Sequence, residues 1–441
     1  MKEPDFFSFL DDYGIIRNTN GSKIYGDKIV IIYSTSFDHY ARLQINETTK
    51  EVEPISGGIP QNQSFHEFFH AAAETIKQQI PDQFYDGPAI LDFEEYRYLY
   101  QYNWGKRIPY RKKSDEYTAL KYPNISMKAV KARSEYEFNK AARRTILGLL
   151  RLAKKLRPYA QWGYYLMPEC SGHYEKSNTQ CTDLYSYNEQ MAVLFHESTA
   201  IFPSIYFHNQ TPVAANYRAT QLRLREARRF SLSTKGRAPI YAYTKFEYDA
   251  YEQPLWYYTK QDLCAAFQGA FEEGIQGLIL WSPDKQPWAD RCPAIKNYVQ
   301  TTLGPVARNI QKKAEKCSRR LCSGRGSCLR AGDLLLDCKW SMKEKMSNMA
   351  CLCDEGYFGQ HCEFHKRASK KDPKKPIKKP ILLDTDFTTT AVSPTSERPE
   401  TLFSSTLTPD WPTSPLPPLS PKKKPSMNEI LDSIGLLPPP F

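Results

Sequence analysis

Apolar and polar residues alternate along the first 300 residues in a way that predicts strands and helices in turn. Apolar residues recur at i, i+3 and i+4, the spacing of one helical face, over 65–80, 135–156, 188–200, 217–231 and 261–273. Short apolar or aromatic runs, typical of buried strands, occur at 28–33, 88–92, 161–167, 203–207, 239–246 and 276–281. Strands that alternate with helices over this length predict a parallel sheet with helical crossovers.

Six such strand and helix units favour a TIM-like (β/α) barrel over an open dinucleotide-binding sheet. No Gly-x-Gly-x-x-Gly motif follows the first strand, and no phosphate-binding loop is present. In a barrel of this kind the functional residues lie where the strands end. The predicted strand ends carry acidic and aromatic residues, namely Asp92, Glu94, Tyr164, Tyr165, Tyr206, Tyr243, Tyr248 and Trp281.

Two carboxylates close the second predicted strand, in the sequence Ala-Ile-Leu-Asp-Phe-Glu at 89–94. Side chains two apart on a strand share a face, so Asp92 and Glu94 point the same way, roughly 7 Å apart at the backbone. Acids after an apolar run often mark only a solvated strand end. However, residues 95–104 are rich in aromatic and amide side chains, which stack on sugar rings and bind sugar hydroxyls. The pair is therefore interpreted as a site, with a saccharide as the indicated ligand.

Composition indicates more than one module and an oxidising environment. The chain has 441 residues, of which 41% are hydrophobic, and a formal net charge of +11 that is concentrated towards the C-terminus. No run reaches the roughly 18 apolar residues that cross a bilayer. Eleven cysteines and five Asn-x-Ser/Thr sites together indicate the secretory pathway. The candidate glycosylation sites are Asn20, Asn46, Asn62, Asn124 and Asn209.

Six late cysteines resemble an EGF-like module, because Cys351-Leu-Cys353 is followed by Gly-Tyr-Phe-Gly and Cys362. The count alone permits fifteen pairings, and a zinc site is the rival interpretation, although the usual zinc ligand spacing is missing. The usual pairing of such modules would join Cys317 with Cys328, Cys322 with Cys351, and Cys353 with Cys362. A structural or adhesive role, through contacts with other proteins, is expected. No residues indicate another metal site or a cofactor.

Composition changes again beyond residue 365, where Lys-Pro repeats give way to Ser, Thr and Pro. This stretch predicts a disordered tail. Its lysines lack interleaved aromatic residues, so nucleic-acid binding is not expected. The predicted organisation is an atypical N-terminal segment at 1–26, a barrel at 27–308, an EGF-like module at 313–364 and the tail at 365–441.

The acidic strand end also resembles the signature of a known family. Asp-aromatic-Glu followed by an aromatic residue, an Arg and Asn-Trp appears here as 92–97 with Asn103-Trp104. Further stretches match in the same order between about 25 and 365, and they include 57–62, 162–170, 185–188, 202–206 and 301–305. The chain resembles the hyaluronidases, family 56 of the glycoside hydrolases, some invertebrate members of which hydrolyse chondroitin. A polyanionic glycosaminoglycan is the implied substrate, with hyaluronan and chondroitin both left open.

The resemblance implies that Glu94 is the general acid and Asp92 its partner. Because both acids leave one face of a strand, they cannot flank a glycosidic bond as acid and nucleophile. The nucleophile is expected to be the N-acetyl oxygen of the substrate, oriented by Asp92 and Tyr248, with retention of the β configuration. The aromatic residues implied to line the cleft are Tyr206, Tyr248, Trp281 and, with less specificity, Tyr40.

Two other functions were weighed against an endo-acting hydrolase of β-linked N-acetylhexosamines. A catalytically weak glycosaminoglycan-binding protein of the extracellular matrix would keep the aromatic cleft but lose an acid, whereas this chain has both. A chitinase-like enzyme would need an acid where Ile90 lies. The matrix-binding protein is therefore the alternative that remains.

The cysteines and the N-terminus depart from the family pattern. Members of the family carry an early cysteine that pairs with the position of Cys292, whereas no cysteine precedes Cys170 here. Cys170 and Cys181 bracket a short loop and are predicted to pair, which leaves Cys264, Cys292 and Cys338 unassigned. Acids interrupt the first ten residues, so no export signal is visible. A secreted or lysosomal protein is nevertheless expected, either with an incomplete N-terminus or with unconventional export.

Overall fold

The computed structural model of this chain describes residues 8–18, 27–46, 48–170, 181, 184–208, 211–234, 236–282, 288–330 and 348–366. Two predicted glycosylation sites, Cys338 and the predicted tail beyond residue 366 lie outside these ranges, the two sites being Asn20 and Asn209. The remaining three sites are exposed and stay predictions, namely Asn46, Asn62 and Asn124.

Strands and helices alternate through most of the described chain, as the sequence predicts. The strands are β1 (Val30–Tyr33), β2 (Arg42–Ile45), β3 (Val52–Ile55), β4 (Pro88–Asp92), β5 (Gln161–Tyr164), β6 (Tyr241–Thr244), β7 (Glu247–Asp249), β8 (Gln253–Tyr257), β9 (Gly277–Leu280), β10 (Gly326–Arg330), β11 (Met349–Cys353), β12 (Tyr357–Phe358) and β13 (Phe364–His365). The helices are α1 (Phe65–Gln79), α2 (Ile108–Lys121), α3 (Met127–Leu156), α4 (Tyr185–Gln190), α5 (Ala192–Glu197), α6 (Val213–Ser233), α7 (Lys260–Glu272), α8 (Trp288–Tyr298) and α9 (Gly304–Leu321).

Short parallel strands lie side by side at the centre of the molecule, in chain order. β1 pairs with β4, and β4 pairs with β5. Two single parallel bridges, Tyr165 with Phe202 and Ile201 with Ile240, extend the sheet from the end of β5 towards β6. β6 then pairs with β9. The predicted parallel sheet with helical crossovers is therefore confirmed.

The two ends of this row approach each other through side chains. The Trp281 indole N–H, just after β9, donates to the Tyr33 hydroxyl at the end of β1 over 3.4 Å. Within the described residues no backbone ladder joins β9 to β1, so the expected closed barrel is not seen as a continuous sheet.

The sheet buries a different set of side chains on each face. Ile32, Leu91 and Trp162 belong to a large cluster that also contains the apolar faces of α1, α3 and α6. Their immediate strand neighbours, among them Ile31 and Ile90, form a second cluster with Phe202, Tyr243 and Ile279. Because alternate residues on a strand point to opposite faces, the first cluster lies between sheet and helices and the second lies on the inner face.

Local sequence accounts for where the predicted elements begin and end. Pro88–Asp92 is a strand over the predicted range, and α1 and α7 match within one residue at each end. The helix expected at 135–156 begins earlier, at Met127, because the Ser126 hydroxyl caps it by accepting from the Ala129 N–H.

Three expectations on secondary structure are wrong or incomplete. The helix expected at 188–200 is divided at Met191 into α4 and α5. The run at 203–207 forms single bridges and no strand of its own. The sequence reading also missed α2, because the buried face of this helix carries Ser114 and Thr118 beside Tyr110 and so lacks an apolar stripe.

The cysteine-rich region packs against the central domain. Disulfides join Cys170 with Cys181, Cys317 with Cys328, Cys322 with Cys351, and Cys353 with Cys362, which are the expected pairs. Cys264 is also disulfide-bonded, whereas Cys292 is a free thiol. The buried Arg330 guanidinium in β10 donates to Glu272 of α7 over 2.6 Å, which fixes the β10–β11 hairpin to the helical layer.

The segment before β1 also packs on the last long helix. The Tyr13 hydroxyl donates to the Gln300 carbonyl over 3.1 Å, and the Gln311 amide donates to the Gly14 carbonyl over 3.0 Å. No helix in the described ranges is long and apolar enough to cross a membrane.

The close packing on the inner face can be tested by a substitution at Gly163. A Cβ at this position would lie 2.2 Å from the Ala200 carbonyl oxygen and 3.0 Å from the Phe202 ring. We expect Gly163→Ala to lower the free energy of unfolding by about 1–3 kcal/mol, because backbone cannot yield as a flexible side chain can. Urea unfolding followed by tryptophan fluorescence measures this change.

The matched control is Gly277→Ala in β9, where the added Cβ would meet only the Tyr241 ring, at 3.2 Å. This variant should lose clearly less stability. Equal losses in the two variants would contradict the tight approach of β5 to residues 200–202.

Candidate active site

Asp92 and Glu94 leave β4 on the inner face of the sheet. Ile90 belongs to the inner cluster, and Leu91 and Phe93 belong to the outer one, so the alternation places the two acids in line with Ile90. Phe93 lies in the outer layer, with its ring centroid 4.7 Å from that of Tyr40. Asp92 is half-buried and Glu94 is exposed, so the pair extends from the sheet towards solvent.

The surroundings of the pair favour protonated acids. Burial, followed by repulsion from Glu94 and Glu95, raises the pKa of Asp92 to about 7. Although Glu94 is exposed as a whole residue, its carboxyl group is desolvated, and this raises its pKa against the opposing charges of Arg107 and Lys106. Such a pair can hold a proton near neutral pH, as a general acid must.

The loop after β4 is held in place by Asn103. Its side-chain oxygen accepts from the Arg97 N–H over 2.8 Å, and its amide donates to the carbonyls of Arg97 and Leu99 over 2.9 and 3.0 Å. Asn103 is fully buried, so these bonds replace its lost hydration. They fold the loop back on itself directly behind the acids.

Arg97 links the same loop to the end of β5. Its guanidinium donates to both carboxylate oxygens of Glu169, the shortest distance being 2.5 Å, and both side chains are buried. The guanidinium also lies 4.7 Å from the centre of the exposed Trp104 ring. A bidentate pair of this kind fixes orientation as well as distance, and Asn188 extends it by donating to the Glu169 carbonyl over 2.8 Å.

Two further contacts fix the backbone of the acid pair. Arg107 donates to the Glu94 carbonyl from Nε and Nη2, over 3.2 and 2.9 Å. The Ser34 hydroxyl donates to Glu95, which joins the turn after β1 to the turn after β4. The Glu94 carbonyl and the neighbouring Glu95 carboxylate are therefore held by two different parts of the chain.

An aromatic wall, which we define as Tyr165, Tyr206, Tyr243 and Trp281, faces the acids from the neighbouring strand ends. Tyr165 meets Tyr243 edge to face at 4.8 Å between ring centroids, and Tyr206 stacks on Trp281 at 6.2 Å. Burial, followed by Tyr165, Tyr243 and the charge of Asp92, raises the pKa of Tyr206, and burial followed by the charge of Asp92 raises that of Tyr243. Both tyrosines therefore lie within electrostatic range of the carboxylate. Stacked rings beside acids suit a sugar ring with polar edges.

Of the expected cleft residues, Tyr206 and Trp281 are thus brought together with Asp92 and Glu94. Tyr164 and Tyr40 lie elsewhere, on the outer face of the sheet. Tyr164 is buried on the outer face, where its hydroxyl donates to the Ile146 carbonyl in α3 over 2.9 Å. Tyr40 is 0% exposed and packs on Phe93 from the same outer side.

The hydroxyl of Tyr248 is hydrogen-bonded within the fold. It donates to Asp262 over 2.5 Å and accepts from the Thr259 N–H over 3.2 Å, and its side chain is buried. Thr259 and Asp262 form the N-terminal cap of α7. Tyr248 therefore supports a helix terminus in this structure.

Tyr165, the neighbour of Tyr164 at the same predicted strand end, is the one of the two that joins the aromatic wall, as alternation from the inward-facing Gly163 indicates. The sequence analysis did not predict three cations that lie near the pair. Lys245 lies two residues beyond Tyr243, on the same face. Lys106 and Arg107 carry no strand or helix periodicity, so only the folded loop reveals that they lie near Glu94. In the described residues no group of three His, Cys, Asp or Glu side chains is arranged to hold a metal ion.

An acid pair with raised pKa values, held on rigid backbone beside stacked aromatic rings, defines a glycoside hydrolase. Comparison with known proteins agrees with this class. The sequence profile described as hyaluronidase matches residues 7–370. The chain therefore belongs to the hyaluronidase family.

Relatives in this family share about three tenths of their residues with this chain. A chondroitin hydrolase of Caenorhabditis elegans is 31% identical over 363 residues, covering 81% of this chain and 77% of the relative. A hyaluronidase of Crotalus adamanteus is 28% identical over 394 residues, covering 81% and 86%. The solved structure of bee venom hyaluronidase in complex with a hyaluronic acid tetramer has a TM-score of 0.64 and 25% identity, covering 69% of this chain and 94% of that one.

The raised pKa of Asp92 predicts that the free energy of unfolding decreases as pH rises. Since the native pKa of about 7 exceeds the ordinary value of 3.8, the native state holds this proton more tightly than the unfolded chain. Stability should therefore fall as pH rises from about 4 to about 7. We expect Asp92→Asn to raise the free energy of unfolding at pH 8 by on the order of 2 kcal/mol, after allowing for solvent screening.

Urea unfolding at pH 4 and pH 8 measures this difference, which should be lost at pH 4. Asp249→Asn is a control of opposite sign, because backbone N–H donors lower the pKa of this exposed carboxylate. Its substitution should reduce stability at pH 8 and matter less at acid pH. A gain from Asp92→Asn that is equal at both pH values would exclude the predicted proton linkage.

Proposed function

We propose that this protein is an endo-β-N-acetylhexosaminidase that hydrolyses glycosaminoglycans with Glu94 as general acid and base. The observation that carries the proposal is the placement of Asp92 and Glu94 on one inner face, with raised pKa values, beside Tyr206 and Trp281. A standard retaining or inverting enzyme needs carboxyl groups on opposite sides of the scissile bond. Two acids on one side favour a nucleophile that belongs to the substrate.

In the proposed first step, Glu94 gives its proton to the glycosidic oxygen as the bond from that oxygen to the anomeric carbon breaks. The carbonyl oxygen of the substrate's N-acetyl group attacks the anomeric carbon from the opposite side and forms a cyclic oxazolinium ion. Asp92, next to Glu94, accepts the acetamido N–H and stabilises the positive charge. Glu94 then removes a proton from water, which opens the ring and restores the original β configuration.

Tyr206 is the aromatic residue that we assign to the acetamido group, in place of Tyr248. Its ring stacks on Trp281 and its hydroxyl lies near Asp92, whereas the hydroxyl of Tyr248 is bound to Asp262. The exposed Trp104, fixed by Arg97, offers a further ring for a neighbouring sugar.

Hyaluronan and chondroitin are the proposed substrates. Both contain β-linked N-acetylhexosamine, which substrate assistance requires, and both are polyanions. Lys106 and Arg107 beside Glu94 supply positive charge to match. Relatives named for each polymer lie at similar identity, so the proposal covers both.

Closure of the sheet into a barrel is part of the proposal, supported by the inner cluster that spans all the central strands and by the contact between Trp281 and Tyr33. Secretion or a lysosomal location is proposed as well. Disulfides need an oxidising compartment, and four are formed among the described cysteines.

Glu94→Gln tests the assignment of the general acid. This substitution keeps the size of the side chain but removes its acidic proton, so we expect kcat to fall by about 100-fold or more with little change in KM. Turnover of hyaluronan, chondroitin and chitin is followed by the loss of chain length. Glu252→Gln, at the exposed turn between β7 and β8, is a matched control and should keep wild-type rates.

Two results would refute the proposed function. If folded wild-type protein shortens none of the three polymers but binds hyaluronan or chondroitin, the alternative of a matrix-binding protein is favoured. If turnover occurs but NMR of the first product shows the α anomer, the substrate-assisted mechanism is wrong.

A further inference from the structure

Lys245 lies at the aromatic wall, and the proposed mechanism gives this cation no role. Its ammonium lies 4.6 Å from the centre of the Tyr206 ring and 5.5 Å from that of Trp281. We infer that Lys245 is a substrate-binding residue for the carboxylate of a uronic acid, the sugar next to the N-acetylhexosamine held by Asp92 and Glu94. This inference rests on the proposed function and identifies the charged group that determines its specificity.

The position of the ammonium removes part of its hydration, and this loss costs free energy unless an anion compensates for it. Lys245 is half-buried, and burial lowers its pKa. The two ring faces offset part of this cost through cation–π attraction. Among the residues that the structure describes, no carboxylate oxygen lies within the 4.0 Å of its Nζ that an ion pair requires. A half-buried cation without an ion pair is suited to bind an anion from outside the chain.

Nearby acids attract Lys245 but are engaged elsewhere. Glu247 is bound by Arg291 in a buried ion pair. Asp249 accepts two backbone N–H groups at the turn after β7, over 3.1 and 3.0 Å. The third acid that favours the charged lysine is Glu94, which must be protonated to act as an acid. Within the described residues, the ammonium is therefore left without a carboxylate partner of its own.

The position of Lys245 matches the order of sugars in the proposed substrates. Tyr243 and Lys245 are two residues apart, so both face the inner side, and Lys245 contacts the same rings that flank the acetamido site. Hyaluronan and chondroitin alternate N-acetylhexosamine with uronic acid. When an N-acetylhexosamine lies at Asp92 and Glu94, the adjoining sugar along the wall must therefore carry a carboxylate.

The test compares Lys245→Met, which removes the charge and keeps the length, with Lys245→Arg, which keeps the charge. Both are assayed on unsulfated hyaluronan or chondroitin and on the same polymer with its carboxyl groups reduced to alcohols. We expect Lys245→Met to raise KM at least tenfold on the native polymer and to change kcat less than threefold. On the reduced polymer its KM should equal that of the wild type, and Lys245→Arg should remain near wild type on both.

A rise in KM of equal size on both polymers would overturn the inference, because it would show a structural role. A displaced pH profile with unchanged KM would overturn it too, since Lys245 would then act on Glu94. Sulfated chondroitin is assayed in parallel, and a rise in KM seen only on this polymer would overturn the inference, because the ligand would then be sulfate and not carboxylate.

Binding without turnover provides a second measurement. In the Glu94→Gln background, calorimetric titration with the native polymer should show a Kd at least tenfold higher when Lys245→Met is added, and equal Kd values would overturn the inference. If the wild type cleaves no polymer, the proposed function fails, and this titration still decides whether Lys245 binds the carboxylate.

Discussion

Alternation of side chains along the central strands is the constraint from which the rest of the structure follows. Every second residue packs outward against helices, and the residues between them pack inward against one another. The inner face narrows around Ile90 and Phe202, where close packing leaves room only for Gly163 in β5. Functional side chains can therefore occur only where the strands end, and Asp92 is the first polar residue of β4 on that face.

Rigid support behind the acids explains how a loop can hold the two carboxylates that we propose to be catalytic. Asn103 and Arg97 fix the turn after β4 through buried hydrogen bonds, and Glu169 ties it to the end of the next strand. Buried ion pairs of this kind contribute little net stability, but the loss of one partner is costly. The stronger effect of the Arg97–Glu169 pair is on geometry, because it holds two strand ends in one arrangement around the substrate.

The sequence predicted the parallel sheet, the range of β4 and the acid pair, because each depends on local periodicity or on residues two apart. Which tyrosines line the cleft was harder to predict from the sequence. Tyr40, Tyr164 and Tyr248 carry the right chemistry, but strand alternation and a helix cap turn them away from the inner face. The position of Lys245 beside the aromatic wall could not be predicted from the sequence, because it depends on which strand ends become neighbours in the fold. The β7–β8 hairpin and α2 were missed since neither has an apolar period of its own.

The continuity of α9 has a consequence for dividing this protein into parts. The helix begins at Gly304, which packs on Tyr13, buries Ala307 and Ile310, and reaches Cys317 before it ends at Leu321. A chain shortened at residue 308 would end in the first turn of this helix and expose the surface that it covers. The smallest piece able to fold independently therefore extends beyond the catalytic residues, and the cysteine-rich region is better regarded as the closing part of one unit than as a detachable appendage.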